Sequence, residues 1–145
     1  EDNVKYAKET YGITLLEEDM HILQFPKEYF DCAAIIHTYE HSFAPMMLLG
    51  ELYYVLRDYG RVYVAVPDPE APESKTIWHT NLKYPGQILN DFLYWGFRPL
   101  DYKEKTPGTE RDKYTFVFEK LPKAHPDFLT WGYLQHVYRL REQIQ

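Results

Sequence analysis

A continuous apolar run, FDCAAIIH at positions 30–37, limits the folds open to this chain more than any other stretch. A strand with one face in solvent alternates polar and apolar residues, whereas this run is apolar at nearly every position after Asp31. Runs of this kind are typical of strands inside parallel sheets that are covered on both faces. The run therefore predicts a central strand of an α/β protein.

The rest of the chain alternates between helix and strand patterns. The segments in order are a helix at 1–11, a strand at 13–19, the central strand, a helix from Pro45 to about Arg57, a strand at 61–69, a helix at 85–97, two strands at 98–105 and 113–120, and a C-terminal helix within 121–145. The last two strands are close enough in sequence to form an antiparallel hairpin. We therefore expect one α/β domain over residues 1–145, with a Rossmann-like, mostly parallel sheet and a late antiparallel hairpin.

Composition excludes several classes of function. A formal net charge of −6 without a basic cluster predicts no nucleic-acid partner, because phosphate neutralisation needs concentrated Lys and Arg. No apolar run is long enough to cross a bilayer, so we expect no membrane association. The single cysteine, Cys32, cannot form an intrachain disulfide, and this favours a reducing, cytoplasmic location.

The segment after the apolar run contains His37, Glu40 and His41 in the His-x-x-Glu-His spacing of one group of zinc peptidases. Both histidines can bind one zinc ion in that motif only if they lie one turn apart within a helix. Here the motif begins at the end of a predicted strand, and the next helix is best begun at Ser42 or Pro45. We therefore predict no metal at this motif and expect Glu40 to order a loop.

The carboxyl ends of the predicted strands indicate where a site would lie. In α/β sheets ligands bind beyond these ends, in the crevice between the connecting loops. The ends of the first three predicted strands fall at residues 18–20, 37–41 and 67–69. These three segments are therefore the candidate site.

An ordered set of short motifs runs through residues 1–120. The motifs are Glu18-Asp19, Leu23-Gln24-Phe25-Pro26, Phe30-Asp31, Tyr39-Glu40-His41, the LRDYGRV segment at 56–62 and HTNLKYPGQILNDFLYWGFRPLDY at 79–102. In this order they resemble the class I S-adenosylmethionine-dependent methyltransferases, of the type 11 kind that acts on small molecules. The resemblance implies a methyltransferase fold, S-adenosylmethionine as cofactor and methyl transfer to a small-molecule acceptor.

The resemblance also implies roles for eight residues. His37 and His79 would be catalytic; Asp19, Met20, His37, Thr38 and His41 would bind the cofactor; and Tyr39 and Tyr84 would bind the substrate. Asp19 and the Met20 backbone would lie beside the adenine, and His37 would lie next to the methionine part of the cofactor. The acceptor itself is not indicated by any motif.

The glycine-rich loop of this family has no counterpart among the seven glycines, and the family's second strand would end just before residue 1. We therefore expect an N-terminally truncated domain with an incomplete cofactor site. The central strand would then have an open edge, and open edges pair readily with other strands. We expect either that residues 13–18 pair with 31–37 or that two copies join edge to edge, with a homodimer as the default. A non-catalytic remnant or interaction module that self-associates is the alternative function.

Overall fold

The computed structural model describes residues 2–105 and 113–128, which form three helices and four strands. The helices are α1 (Asp2–Tyr11), α2 (Pro45–Val55) and α3 (Pro85–Tyr94), and the strands are β1 (Phe30–Ile36), β2 (Leu56–Val66), β3 (Phe97–Glu104) and β4 (Tyr114–Lys120). Short 3₁₀ turns lie at Tyr39–His41 and Pro72–Ser74. Of the predicted C-terminal helix, residues 121–128 form irregular turns and the remainder lies outside the described residues.

The four strands form one sheet in the order β1-β2-β4-β3. β1 and β2 are parallel, whereas β4 is antiparallel to both β2 and β3. The α/β class and the late antiparallel hairpin are thus confirmed, but the prediction of a mostly parallel sheet is wrong. The reason is topological: β4 returns between β2 and β3, so one strand accounts for two antiparallel pairings.

The strand predicted at 13–19 does not form. Residues 12–18 have no regular structure, and only an isolated bridge joins Asp19 to Ile22. A strand is stable only beside a partner, and no strand in the described ranges lies next to this segment. The alternative expectation, that residues 13–18 pair with 31–37, is therefore also wrong.

The apolar run forms β1 at the edge of the sheet rather than at its centre. On one face Ile35 is buried, whereas on the other Cys32, Ala34 and Ile36 are exposed. Ile36 keeps 53% of its surface in contact with solvent. The predicted central position is wrong for the described part of the chain, because the sheet continues from β1 in one direction only.

The core lies between one face of the sheet and helices α2 and α3. Register places Ile35, Val64 and Phe116 side by side on three neighbouring strands, and all three are buried. Leucines of α2 and the ring of Phe92 in α3 cover this face, and the Phe92 and Phe118 rings stack with centroids 4.0 Å apart. The packing holds the carboxyl ends of β1 and β2 in place. Within the described ranges, none of the helices is long and apolar enough to cross a bilayer.

Candidate functional site

The carboxyl ends of β1 and β2 meet at one edge of the sheet. Ile36 pairs with Ala65, and the backbone N–H of His37 donates to the Ala65 carbonyl at 3.0 Å. The 3₁₀ turn at Tyr39–His41 follows directly, and the turn at 19–22 is joined to Ser42, which comes just after it. The turn at 19–22 is thus linked to the residue that follows the predicted 37–41 segment, and the role of both segments in a site stays a prediction.

A buried histidine connects these two turns. The Asp19 carboxylate Oδ1 accepts from the backbone N–H of His21 and from its ring Nδ1, each at 2.9 Å. The His21 Nε2 lies 2.8 Å from the Ser42 hydroxyl oxygen. These hydrogen bonds, the backbone one first, lower the pKa of the exposed Asp19 carboxyl because they stabilise its charged form.

Asp19 and Met20 present groups suited to an adenine. Within the described residues both hydrogen bonds to Asp19 use Oδ1, which leaves Oδ2 to accept from an exocyclic amino group. The Met20 side chain packs against the core cluster, which positions the turn. The donor and acceptor chemistry of this turn therefore fits the adenine end of S-adenosylmethionine.

His37 has a backbone conformation that is uncommon outside glycine, with φ of 48°. Its ring Nδ1 lies 3.2 Å from the Glu40 Oε1, and the Glu40 side chain is almost completely buried. Since a carboxylate only accepts, Nδ1 carries the proton in this bond. Next to it, the Thr38 hydroxyl donates to the Ile36 carbonyl at 3.1 Å.

The predicted substrate residues lie in different environments. Tyr39 is fully buried in the core, and its hydroxyl donates to the Asp91 carboxylate at 2.6 Å. Burial, followed by this hydrogen bond to a carboxylate, raises the Tyr39 pKa well above its usual value. Tyr84 is half-exposed at the start of α3, and its hydroxyl donates to the Glu70 carboxylate. The role of either in substrate binding stays a prediction.

His79 reaches the 3₁₀ turn because the loop at 74–81 is hydrogen-bonded to it. The Asn81 backbone N–H donates to the Glu40 carbonyl at 2.9 Å, and the Asn81 side-chain amide donates to the Tyr39 carbonyl at 3.1 Å. The rings of His41 and His79 make an edge-to-face contact with centroids 4.7 Å apart. Two predicted residues that are far apart in sequence are thus neighbours.

Sequence reasoning missed His21 and Asn81, although both hold the site together. His21 joins a turn to a residue 21 positions later, and Asn81 bonds to a backbone carbonyl 42 positions earlier. Neither contact follows a helical or strand period, so no local pattern marks these side chains. These two side chains are recognised from the tertiary structure, because both are polar and buried.

A separate cavity of about 400 Å³ lies at the opposite end of the sheet. It is lined in part by Tyr53, Trp95 and Lys120. The Lys120 ammonium group donates to the carbonyl of Leu56, the first residue of β2, at 2.7 Å. The cavity is therefore not part of the candidate site, which lies where β2 ends.

Comparison with known proteins identifies the class of this fold. Residues 1–64 match the family model described as "Methyltransferase domain". A comparison with curated proteins found no match. The matched residues contain the Asp19 turn, β1 and the His37–His41 segment, whereas the motif at 79–102 that also carried the resemblance lies outside the match.

Solved structures extend the match over most of the chain. An S-adenosylmethionine-dependent methyltransferase from Aquifex aeolicus is 18% identical with a TM-score of 0.62, and the match covers 82% of this chain and 63% of that one. A Burkholderia thailandensis 1,6-didemethyltoxoflavin-N1-methyltransferase, with bound substrate and S-adenosylhomocysteine, is 15% identical with a TM-score of 0.61, over 81% of this chain and 56% of that one. The cyclase SpnF is 14% identical with a TM-score of 0.62, over 81% of this chain and 61% of that one.

The chain has the class I S-adenosylmethionine-dependent methyltransferase fold, and the resemblance found in its sequence is confirmed. It spans between 56% and 63% of the length of these three structures. One of the three is named as a cyclase, so the fold by itself does not decide the reaction.

Proposed function

We propose that this chain provides part of a site for S-adenosylmethionine-dependent methyl transfer to a small molecule. The observation that supports it most is the link from the Asp19 turn, through His21, to Ser42, which closely follows His37 at the carboxyl end of β1. This is the edge where α/β sheets bind ligands, and the family match covers both segments. The acceptor's chemical identity is left open by these residues.

The cofactor would supply an electrophilic methyl group on a sulfonium centre. Asp19 would accept from the adenine amino group through Oδ2, and the Met20 backbone would donate beside it. Its lowered pKa keeps Asp19 ionised, and hence an acceptor, at neutral pH. Thr38 and His41 would line the cofactor near His37.

His37 would remove a proton from a hydroxyl or amine acceptor. The ring Nδ1 donates to the buried Glu40 carboxylate, which fixes the orientation of the imidazole, as expected of an oriented general base. His79 and Tyr84 are proposed to act on the substrate side, and positioning would supply most of the rate enhancement.

Calorimetric titration with S-adenosylmethionine and with S-adenosylhomocysteine tests this function. We expect 1:1 binding, weakened roughly 10- to 100-fold in Asp19→Asn, since a hydrogen bond to a charged group is worth about 1.5–3 kcal/mol. Asp101→Asn is the matched control, because Asp101 is an exposed carboxylate on β3. The absence of heat at millimolar ligand, or equal weakening in both variants, would contradict the proposal.

A self-associating module is the second candidate function. It is favoured by the outer edge of β1, which pairs with no described strand, and by the exposed apolar face at Cys32, Ala34 and Ile36. An unpaired edge presents N–H and C=O groups to a second copy of the chain. We therefore propose a homodimer, which would either accompany methyl transfer or be the function of the chain instead of methyl transfer.

A cytoplasmic location is proposed from the state of Cys32. The thiol is free and exposed on β1. Exposed thiols are oxidised or cross-linked in oxidising compartments, so a reducing environment suits this protein.

A further inference from the structure

Glu40, His41 and His79 converge beside the candidate methyl-transfer site. One potential ligand atom from each lies within 4.8 Å of the other two. The three residues come from two segments that are separated in sequence but joined by hydrogen bonds. We propose that they bind a divalent transition-metal ion of the zinc type.

The hydrogen bonds of the two imidazoles favour metal binding. The His41 Nδ1 lies 3.0 Å from the Trp78 carbonyl oxygen, and the His79 Nδ1 lies 2.6 Å from the Ser74 carbonyl oxygen. A carbonyl only accepts, so both Nδ1 atoms carry protons, and in the neutral rings the lone pairs are on Nε2. Histidine ligands in metal sites usually have this arrangement, with one nitrogen on the metal and the other donating to an oxygen.

Glu40 supplies an independent indication of a missing ligand. Its Oε1 accepts from His37, but its Oε2 is buried and has no hydrogen-bond partner in the part of the chain that the structure describes. The residue is only 1% exposed. A buried carboxylate oxygen without a partner is costly, and a bound cation would remove that cost.

Hydrogen bonds hold the loop at 74–81, which carries His79, against the 3₁₀ turn that carries Glu40 and His41. The Thr80 hydroxyl donates to the His41 carbonyl at 3.3 Å, and Asn81 donates to the backbone of the same 3₁₀ turn. In a tetrahedral zinc site with bonds of about 2.0–2.2 Å, ligand atoms lie roughly 3.3–3.6 Å apart. The three ligand atoms, which lie within 4.8 Å of one another, would therefore have to move closer by about 1 Å, and His41 is exposed and able to turn.

The donor set selects the kind of metal. Two imidazole nitrogens and one carboxylate oxygen suit zinc and similar transition metals, whereas magnesium and calcium prefer oxygen ligands throughout. Three protein ligands leave a fourth position for water or a substrate atom, as in catalytic zinc sites. This site differs from the excluded His-x-x-Glu-His arrangement, because His79 from a distant loop replaces His37.

Zinc titration of chelator-treated full-length protein tests this proposal without S-adenosylmethionine, so its outcome is independent of the proposed methyl transfer. We expect one equivalent of zinc to bind and no comparable binding of magnesium. His79→Ala and His41→Ala should each weaken zinc binding at least about 10-fold. His125→Ala is the matched control, because His125 is a partly buried histidine that bonds within its own turn.

Cobalt gives a second readout. We expect visible absorption bands of bound Co²⁺ in the unmodified protein and in His125→Ala, and their loss in His41→Ala. Thermal unfolding of each variant without metal would verify that it is folded, and zinc should raise the melting temperature only where the site is intact. Absence of stoichiometric zinc binding, or zinc affinity in His41→Ala and His79→Ala equal to that of the unmodified protein, would overturn the proposal.

Discussion

At the scale of single residues, buried polar side chains connect the turns of the candidate site. His21 is buried and bonds to Asp19 on one side and to Ser42 on the other. Tyr39 is fully buried, yet its hydroxyl reaches Asp91 at 2.6 Å. Each of these groups has a partner because an unsatisfied polar group in the interior is costly. The geometry of the candidate site thus depends in part on His21, a side chain to which the resemblance assigned no role.

The Asp19 pKa is the first prediction at this scale. We expect the carboxyl to titrate below its usual value near 3.8. His21→Ala should raise it only part of the way back, because the substitution removes the ring hydrogen bond but keeps the backbone N–H of residue 21, which is the larger cause. A carbon-detected NMR titration of Asp side chains measures this directly. A pKa that His21→Ala leaves unchanged would show that the His21 ring does not contribute to the lowering.

The sign of the effect on stability follows from linkage. A carboxyl whose pKa is lower in the folded state stabilises the protein above the unfolded-state pKa, and this contribution disappears as pH falls through the folded-state pKa. Since Asp19 is exposed, water screens the interaction and its contribution is small. The NMR titration, rather than an unfolding curve, is therefore the appropriate measurement.

At the scale of elements, helix α3 is bounded by sequence signals that the structure reproduces. It begins at Pro85, where the missing N–H costs nothing, and the chain turns at Gly96 with φ of 88°. The Tyr84 backbone N–H donates to the Gln87 side chain at 3.0 Å, which caps the first turn. Such signals are local, so they can be recognised without knowledge of the tertiary structure.

The two glycines of this region provide a matched pair of substitutions. Gly96→Ala should destabilise the protein by more than about 1 kcal/mol, because φ is positive and the added Cβ would overlap the Phe128 ring. Gly86→Ala should be neutral or stabilise the protein by up to about 1 kcal/mol. Gly86 lies in helix α3, where alanine is favoured over glycine, and no neighbouring atom lies within 4 Å of the added Cβ. Urea unfolding measures both. A similar cost at the two positions would contradict this account of Gly96.

At the scale of the whole molecule, the sheet has an open side at β1. The strand is apolar and partly exposed, with its outer edge unpaired in the described residues. Natural edge strands usually carry charges or irregularities that prevent association. β1 has Asp31 at its start but no charge further along, so association with another copy is favoured.

Self-association is the prediction at this scale. Sedimentation over about a hundredfold range of protein concentration should show a monomer–dimer equilibrium. Ala34→Lys should shift it to monomer, because a charge on the edge strand opposes pairing. Tyr94→Lys is the control, since Tyr94 is exposed on α3 and 73% of its surface is in solvent. A monomer at every concentration, or equal loss of dimer in both variants, would contradict the prediction.

The elements that the sequence predicted correctly are those with local causes. Residues 2–11 formed the expected helix, α2 and α3 began at the expected prolines, and the last two strands paired as an antiparallel hairpin. Residues 13–19 resembled a strand by composition but found no partner. A strand forms only where a neighbouring strand is present, and that neighbour can come from anywhere in the sequence. Composition alone therefore predicted a strand at 13–19 that does not form.

The sequence by itself determined the α/β class and the methyltransferase resemblance, and it predicted the edge of the candidate site, because these follow from periodicity, element order and ordered motifs. Only the tertiary structure decided that β1 lies at an edge, that Tyr39 belongs to the core, and that His79 joins Glu40 and His41. These outcomes depend on contacts between residues far apart in the chain. Such contacts are set by packing and hydrogen-bond satisfaction, which no local pattern contains.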